Sequence, residues 1–411
     1  MLKERDVQIM RELAKKYAEI AALPVHAEKR RLWQDNNEFR AARPMVLIDQ
    51  ICWGEINTDG SLTPQCEDPY WRGVEAETRR KLYCWEHMPV DMVIHPYFII
   101  PKPIHNTGWG LSSEEDIVHM DGNSGAASHR YHNLLRTYDD IEKIQMPEIT
   151  LDVKKMAEIR EQANVIFDGI IPYRFDGQNL QLGIWDSINT WMGAETCYIE
   201  MVERPEFIHA IVERMTQGLL HQIECINRLG VYSVAEGMVH CNHTFLDNVP
   251  GKDADPEFGT TKDGWGFGQA QLFTSVSPDF TEEFEVEYMK RVHPHFGAVY
   301  YGCCERLDDR LDVIAQLDNV RKISCSPWSH REAFAEKLPD RRVMSIKPNP
   351  AFLATDSFNE DIVRRDLRSY VDIARRYNRN IEFILKDIST IRYDQPRLWR
   401  WAEIAMEEAQ R

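Results

Sequence analysis

The residues of this sequence best suited to chemistry are polar side chains that directly follow short apolar runs. Cys303 and Cys304 follow the run at 298–302, Cys325 ends the run at 320–325, and Glu236 ends the run at 231–236. In an α/β fold, the carboxyl ends of parallel strands converge on the ligand site. We therefore expect these side chains to share one pocket.

Several of these residues are types that bind zinc, which takes cysteine, histidine and carboxylate ligands in a tetrahedral array. Because neighbouring side chains diverge, we expect Cys303 and Cys304 to supply one ligand between them. The full set of candidate metal ligands is Cys303, Cys304, Cys325, His240, Cys241 and Glu236. Free cysteine is also often a small buried hydrophobe, and the chain contains no CxxC pair and no HExxH motif. The spacing alone leaves both interpretations open.

Two charged residues are candidates for catalysis. Glu236 is either a metal ligand and general acid or base, or one partner of a salt bridge at the rim of the sheet. Lys347, in the segment SIKPNP, either binds an anionic group of the substrate or lies at the surface. Further residues near the ends of predicted strands are candidates for binding the substrate: Asp49, His95, Trp185, Lys386 and Asp387. Arg174, which could hold a carboxylate of the substrate, and Tyr301 are two more candidates.

These residues are positioned by alternating apolar runs and helical segments. We predict eight strands, at 45–51, 91–100, 180–185, 231–236, 298–302, 320–325, 341–346 and 381–385. An amphipathic helix at 306–317 separates two of these strands by short joints, which is typical of a parallel pair. Eight such units favour a single closed (β/α)₈ TIM barrel, with an open doubly wound sheet as the alternative. We predict a helical extension at 1–44 and the barrel at 45–411, with the connections 101–145 and 237–276 over its carboxyl face.

Composition limits the classes of partner. The net charge of −17 argues against binding to nucleic acid or to an anionic membrane surface. No run of about 18 apolar residues is present, and the N-terminus lacks the apolar core of a signal peptide. Nine scattered cysteines are typical of reduced thiols, so we expect a cytoplasmic protein. The sequence leaves open whether the chain forms a homodimer.

Four segments of the chain resemble the uroporphyrinogen decarboxylase superfamily. They are ARPMVLI at 42–48, SPDFTEEFEVEYMKRV at 277–292, VYYGCCERLDDRLDVIAQL at 299–317 and RRVMSIKPNP at 341–350. The resemblance extends over about nine-tenths of the chain, and it implies a (β/α)₈ barrel. The arginine-rich segment with which true decarboxylases of this family grip the propionates of their substrate has no counterpart here.

The other branch of that family contains cobalamin-dependent methyltransferases, and the chain is more similar to this branch. Those enzymes bind zinc with a His-x-Cys pair and a distant cysteine. Here the pair becomes Tyr301-Gly302-Cys303, and the distant position falls near Lys386 or Asp387. The resemblance implies a zinc-dependent methyltransferase that acts on a small methyl donor or thiol acceptor, with a corrinoid protein as partner. The alternatives are a metal-free decarboxylase and a non-catalytic barrel that binds a corrinoid or tetrapyrrole.

Overall fold

The computed structural model describes residues 2–119 and 127–411, which form a mixed α/β fold. The strands are β1 (Met45–Ile48), β2 (Phe98–Pro101), β3 (Ile104–Asn106), β4 (Glu115–His119), β5 (Ala127–Tyr131), β6 (Ile149–Leu151), β7 (Tyr173–Asp176), β8 (Met238–Val239), β9 (Asn242–His243), β10 (Trp265–Gly268), β11 (Ala298–Tyr301), β12 (Val320–Cys325), β13 (Val343–Ile346) and β14 (Ile381–Leu385). Six of them form one parallel sheet in the order β1–β14–β13–β12–β11–β10.

Helices connect most of these strands. They are α1 (Glu4–Ala21), α2 (Val25–Asn37), α3 (Trp53–Ile56), α4 (Pro69–His87), α5 (Val153–Phe167), α6 (Ile184–Met192), α7 (Ala194–Glu203), α8 (Pro205–Leu229), α9 (Pro278–Thr281), α10 (Glu287–Val292), α11 (Leu311–Ile314), α12 (Arg331–Lys337), α13 (Ala351–Ala354), α14 (Glu360–Arg376) and α15 (Pro396–Ala409). A π-helical turn, Glu282–Val286, joins α9 to α10. No helix within the described ranges combines the length and apolarity that a membrane crossing requires.

The two faces of the six-stranded sheet differ in chemistry, because successive side chains of a strand point to opposite faces. The outer face carries apolar residues such as Ile323 and Cys325, which belong to the main hydrophobic core together with residues of α12, α14 and α15. The inner face carries polar side chains, among them Tyr300, Lys322 and Glu382, and it is covered by the segment around β8 and β9. The strands are therefore buried on both faces, as parallel strands usually are.

The charges on the inner face are paired. Lys322 Nζ lies 2.8 Å from Glu382 Oε2, and both side chains are fully buried. The same ammonium donates to Asn242 Oδ1 at 2.7 Å and to the carbonyl of His243 at 3.0 Å. Since an isolated buried charge is very costly, these contacts are what make a lysine tolerable inside the sheet.

The predicted strands are confirmed where the chain alternates regularly between strand and helix. The predictions at 45–51, 298–302, 320–325, 341–346 and 381–385 correspond to β1, β11, β12, β13 and β14. In contrast, the predicted strand at 180–185 is wrong, because α6 begins at Ile184 and the segment makes a single bridge, between Gln181 and Phe267. The strands that occur instead, β7 and β10, were missed; the two glycines of β10, in WGFG, hide its strand pattern.

Two further predicted strands are shorter than expected. In the predicted strand 91–100, only residues 98–100 belong to a strand, β2. In the predicted strand 231–236, only Val231 and Tyr232 pair with other residues, each through an isolated bridge. The helix expected at 306–317 is the short α11. Of the long connection 101–145, residues 120–126 lie outside the described residues; the rest includes the β4–β5 hairpin. What the structure shows is the six-stranded parallel sheet; closure into an eight-stranded barrel remains part of the proposal below.

The N-terminal helices pack on the rest of the chain. Helix α1 contacts α4 and α5, and Trp33 of α2 donates its indole N–H to the carbonyl of Asp91 at 2.8 Å. The Arg43 guanidinium holds the buried Asp91 carboxylate, with an Nη2–Oδ1 distance of 2.7 Å. The division of the chain at residue 44 stays a prediction.

Candidate functional site

The end of β11 turns sharply inward at Gly302, which has a φ of 93°. A Cβ atom at this position would lie 2.6 Å from the side chain of Leu307 and 3.0 Å from that of Ser324. Both the positive φ and the lack of space therefore favour glycine. The turn brings Cys303 to the inner side, where Ser324 Oγ donates to its carbonyl at 2.7 Å and its amide donates to the Glu305 carboxylate at 2.7 Å. The backbone of Cys303 is therefore fixed on both sides.

Four residues at the ends of β11 and β14 form what we call the thiol cluster: Cys303, Cys304, Lys386 and Asp387. The two sulfur atoms are 3.4 Å apart, and Lys386 Nζ lies 3.4 Å from each of them. Lys386 also pairs with the Asp387 carboxylate, whose Oδ2 lies 3.1 Å from the Cys304 sulfur. Cys303 is buried, whereas Asp387 is half-exposed, so the cluster extends from the interior to the surface.

The contacts of the thiol cluster shift the pKa values of its two cysteines in opposite directions. The pKa of the Cys303 thiol is lowered mainly by its hydrogen-bond contact with the Cys304 thiol, and the Lys386 ammonium offsets part of the cost of burial. The pKa of Cys304 is raised by that same hydrogen bond and by burial. Burial alone would lower the pKa of Lys386, but the charges of Cys303 and Asp387 raise it, so the ammonium persists. The cluster therefore favours a Cys303 thiolate beside a protonated Cys304.

A second lysine, Lys347, lies on the same inner face and behaves differently. Its ammonium donates to Ser345 Oγ at 2.8 Å and lies 5.0 Å from the centre of the Tyr300 ring. Burial lowers its pKa to about 8, so a fraction of this amine is uncharged near neutral pH. The ring of His240 stacks on Phe267 at 3.8 Å, and burial together with Lys347 lowers its pKa to about 2. His240 is therefore a neutral imidazole.

Four residues on the segments that follow β1, β8 and β14 have a left-handed backbone conformation. Gln50, His240, Cys241 and Asp387 all have positive φ values, between 37° and 63°. Such residues persist only where their surroundings hold them, and they are common at functional sites. The Asp387 amide donates to Gln50 Oε1 at 3.3 Å, which links the end of β14 to the end of β1. Burial raises the pKa of the Cys241 thiol, and its contact with the neighbouring Asp49 carboxylate raises it further.

Glu236 belongs to a neighbouring cavity of about 780 Å³, which is also lined by Asp49 and Lys81. Its carboxylate oxygens lie 3.0 and 3.3 Å from Lys81 Nζ. Burial would raise the pKa of Glu236, but Lys81 and His95 outweigh it, and the pKa lies below its ordinary value. His95 Nε2 lies 2.9 Å from the Glu236 carbonyl. Glu236 is thus an ionised carboxylate in an ion pair. Asp49, which lines the same cavity, donates its amide to the carbonyl of Leu385 at 2.9 Å, one residue before Lys386.

The remaining candidates lie at other places. Cys325 faces the helices on the outer side of the sheet, where burial raises its pKa to about 12. Tyr301 and Trp185 are also in that core, and Trp185 donates its indole N–H to the carbonyl of Phe284 at 3.1 Å. The Arg174 guanidinium stacks 4.0 Å from the centre of the Tyr97 ring, beside a second cavity of about 610 Å³. Trp185 was chosen because it ends the predicted strand at 180–185, which does not form, whereas Cys325 ends a strand that does.

A zinc ion bound by both thiols of the cluster does not fit this arrangement. The Lys386 ammonium lies 3.4 Å from each sulfur, and its own side chain is only 2% exposed. A dication placed against both sulfurs would meet this fixed positive charge in a poorly hydrated site, where charges repel strongly. No step proposed below therefore uses zinc at Cys303; zinc on another set of the candidate ligands stays a prediction.

Sequence reasoning missed a different group of potential metal ligands. Within the described part of the chain, the group that brings three ligand atoms to within 4.8 Å of one another consists of Glu148, His221 and Cys225. The four-residue spacing of His221 and Cys225 on one helix was a signal in the sequence, but nothing pointed to Glu148. Lys81, the partner of Glu236, was missed too, because it lies 155 residues away along the chain.

Comparison with known proteins adds little to this description. No protein-family model matches the chain, and the search of curated proteins found no match. Among solved structures, the chain is similar to a methyltransferase from Methanosarcina mazei, with 10% sequence identity and a TM-score of 0.49. That similarity covers 93% of this chain and 98% of the other. At this level of similarity, the proposal that follows rests on the site and not on the neighbour.

Proposed function

We propose that this protein is a methyltransferase that uses the Cys303 thiolate as its nucleophile. The observation that carries the proposal is the position of Lys386 Nζ, which lies 3.4 Å from the sulfur atoms of both Cys303 and Cys304. Adjacent cations and hydrogen-bond donors lower the pKa of a thiol, and the thiolate is the reactive form. The proposal places this nucleophile at the carboxyl end of β11, where the strands of an α/β fold present their catalytic residues.

The reaction would proceed in two displacements at one methyl carbon. First, a sulfur lone pair of Cys303 forms an S–C bond to the methyl group of a small donor, the bond between that carbon and the leaving atom breaks, and the leaving atom keeps the electron pair. A nucleophilic acceptor then attacks the same carbon, and the electron pair of the breaking C–S bond returns to Cys303. Lys386 and Cys304 stabilise the thiolate that each cycle regenerates.

The surrounding residues have separate roles in the proposal. The cavity lined by Glu236, Lys81 and Asp49 would hold the methyl donor. Lys347, with a pKa of about 8, would bind an anionic group or transfer a proton. The acceptor expected from the family resemblance is a reduced corrinoid on a separate protein, docked at the carboxyl face of a closed barrel.

The test uses the purified protein, a panel of small methyl donors and a reduced corrinoid protein. We expect two results: a methyl group on Cys303, located by peptide mass spectrometry when the acceptor is omitted, and spectral methylation of the corrinoid when it is present. Cys303→Ser should abolish both. Cys52→Ser, which removes another partly buried free thiol, should change neither.

Assays with uroporphyrinogen distinguish the alternatives. Formation of coproporphyrinogen that survives Cys303→Ser would contradict the proposal and favour a decarboxylase. Binding of a corrinoid or tetrapyrrole without turnover of any donor would favour the non-catalytic barrel.

A further inference from the structure

We propose that Glu148, His221 and Cys225 form a binding site for a zinc-class divalent cation, remote in sequence from the thiol cluster. We call this group the helix triad. His221 and Cys225 are one turn apart on α8, and Glu148 directly precedes β6, which packs on α8. Imidazole nitrogen, thiolate sulfur and carboxylate oxygen are the ligand types that zinc selects.

The distances within the helix triad are close to those between ligands of a tetrahedral ion. Cys225 Sγ lies 3.6 Å from His221 Nε2, and that nitrogen lies 3.0 Å from Glu148 Oε1. For ordinary zinc bond lengths and a tetrahedral angle, ligands are separated by about 3.6 Å for sulfur and nitrogen and by about 3.4 Å for nitrogen and oxygen. Only small side-chain movements are therefore needed for all three ligands to reach one ion.

A hydrogen bond from His221 Nε2–H to Glu148 satisfies those two groups, and it leaves the Cys225 sulfur to accept from Arg228. His221 Nε2 carries either a proton or a lone pair, so it can donate to Glu148 or accept from Cys225, but it cannot do both. A carboxylate accepts only, and it would face the imidazole lone pair if Cys225 were the donor. A bound cation would engage all three ligand atoms at once, because each would present a lone pair to the same centre.

The backbone already holds the triad in place. Thr107 donates its amide to the Glu148 carbonyl at 3.1 Å and its hydroxyl accepts the Glu148 amide at 2.9 Å. Next to the triad, Asn106 donates to Gln222 of α8 at 3.1 Å. Such support lowers the entropy cost of assembling a site.

The triad also leaves a fourth position accessible to water. The side chains of His221 and Glu148 are 33% and 57% exposed, whereas Cys225 is buried. Three protein ligands and one open position are typical of a zinc site at which a water molecule is activated. Arg228 Nη2, 3.5 Å from the Cys225 sulfur, competes with the cation and must swing into solvent when it binds.

The experiment is titration of chelator-treated protein with Zn²⁺ by calorimetry and with Co²⁺ by absorption spectroscopy, where a thiolate ligand gives a charge-transfer band. We expect one ion per chain with that band. His221→Ala and Cys225→Ser should each weaken binding by at least about 100-fold, since loss of outer contacts alone costs about 10–100-fold. The thermal melting of these variants in chelator should match that of the wild type, which separates lost ligands from lost folding.

Two controls make the assignment specific. His209 on the same helix lies 3.1 Å from Glu283 and is similarly exposed, but its partners are a carboxylate and Tyr288, without a thiol. His209→Ala and Cys303→Ser should leave both binding and the Co²⁺ band unchanged. Absence of stoichiometric binding by the wild type would overturn the proposal, and so would a band that survives Cys225→Ser but disappears in Cys303→Ser.

Discussion

The thiol cluster and the helix triad each place a cysteine beside a nitrogen atom of another side chain, but the two nitrogen groups differ in chemistry. In the thiol cluster the neighbour is the Lys386 ammonium, 3.4 Å from Cys303, whereas in the helix triad it is the His221 imidazole, 3.6 Å from Cys225. An ammonium has no lone pair to offer a metal and stabilises a free thiolate, while an imidazole can join the thiolate as a ligand. The neighbours of a cysteine, more than its place on the fold, thus indicate its chemistry.

The largest expected effect is a reciprocal loss of function at the two sites. Cys303→Ser should reduce methyl transfer by at least about 1,000-fold, as expected when a nucleophile is removed, with metal binding unchanged. Cys225→Ser should weaken metal binding and leave methyl transfer unchanged. The measurements are corrinoid methylation and the Co²⁺ band on the same two preparations. If one variant lost both properties, the two regions would not be independent.

Lys347 sharpens the comparison because it is a lysine on the same face without a thiolate partner. Its pKa is lowered to about 8 in the folded protein, so the unfolded chain binds more protons between pH 8 and its ordinary value of 10.5. Stability should therefore rise with pH through this window. We expect Lys347→Met to stabilise the protein by about 1–3 kcal/mol at pH 7, and by less at pH 10, in denaturant titrations. An equal effect at both pH values would show that Lys347 titrates normally.

Cys304→Ala tests the hydrogen bond within the thiol cluster. The variant removes the donor whose contact is the main cause of the lowered pKa of Cys303. The pKa of Cys303 should rise, and alkylation of Cys303 at neutral pH should slow by about 10-fold. Peptide mass spectrometry after timed treatment with iodoacetamide measures the rate. Faster alkylation in the variant would mean that Cys304 mainly shields its neighbour.

The smallest effect concerns Arg228. Its guanidinium competes for the Cys225 sulfur, but Arg228 is exposed and can rotate into solvent. Arg228→Met should strengthen Zn²⁺ binding by about 2–5-fold, the size expected for a partly screened surface charge. Calorimetry on the two proteins tests this. Weaker binding in the variant would show that Arg228 supports the site instead of competing for it.

The sequence was informative where contacts are local and less so where they are distant. Strands β11 to β14 were predictable from apolar runs with short helical joints. The position of Cys303 close to the end of β11 was predictable from the same pattern. The two glycines of β10 interrupt the apolar pattern, so this strand was not predicted, whereas the apolar segment at 180–185 was predicted as a strand and is not one. The pairing of Lys386 with two cysteines spans more than 80 residues, and no periodicity in the sequence encodes such a contact.

The central claim is that Cys304 and Lys386 together maintain Cys303 as a thiolate, and the rate of Cys303 alkylation as a function of pH tests it most directly. In the wild type we expect an apparent pKa below about 8.5, the ordinary value of a free cysteine. Lys386→Met should raise this pKa, and Lys386→Arg, which keeps the positive charge, should preserve most of the lowering. A wild-type pKa at or above the ordinary value, unchanged in Lys386→Met, would contradict the account.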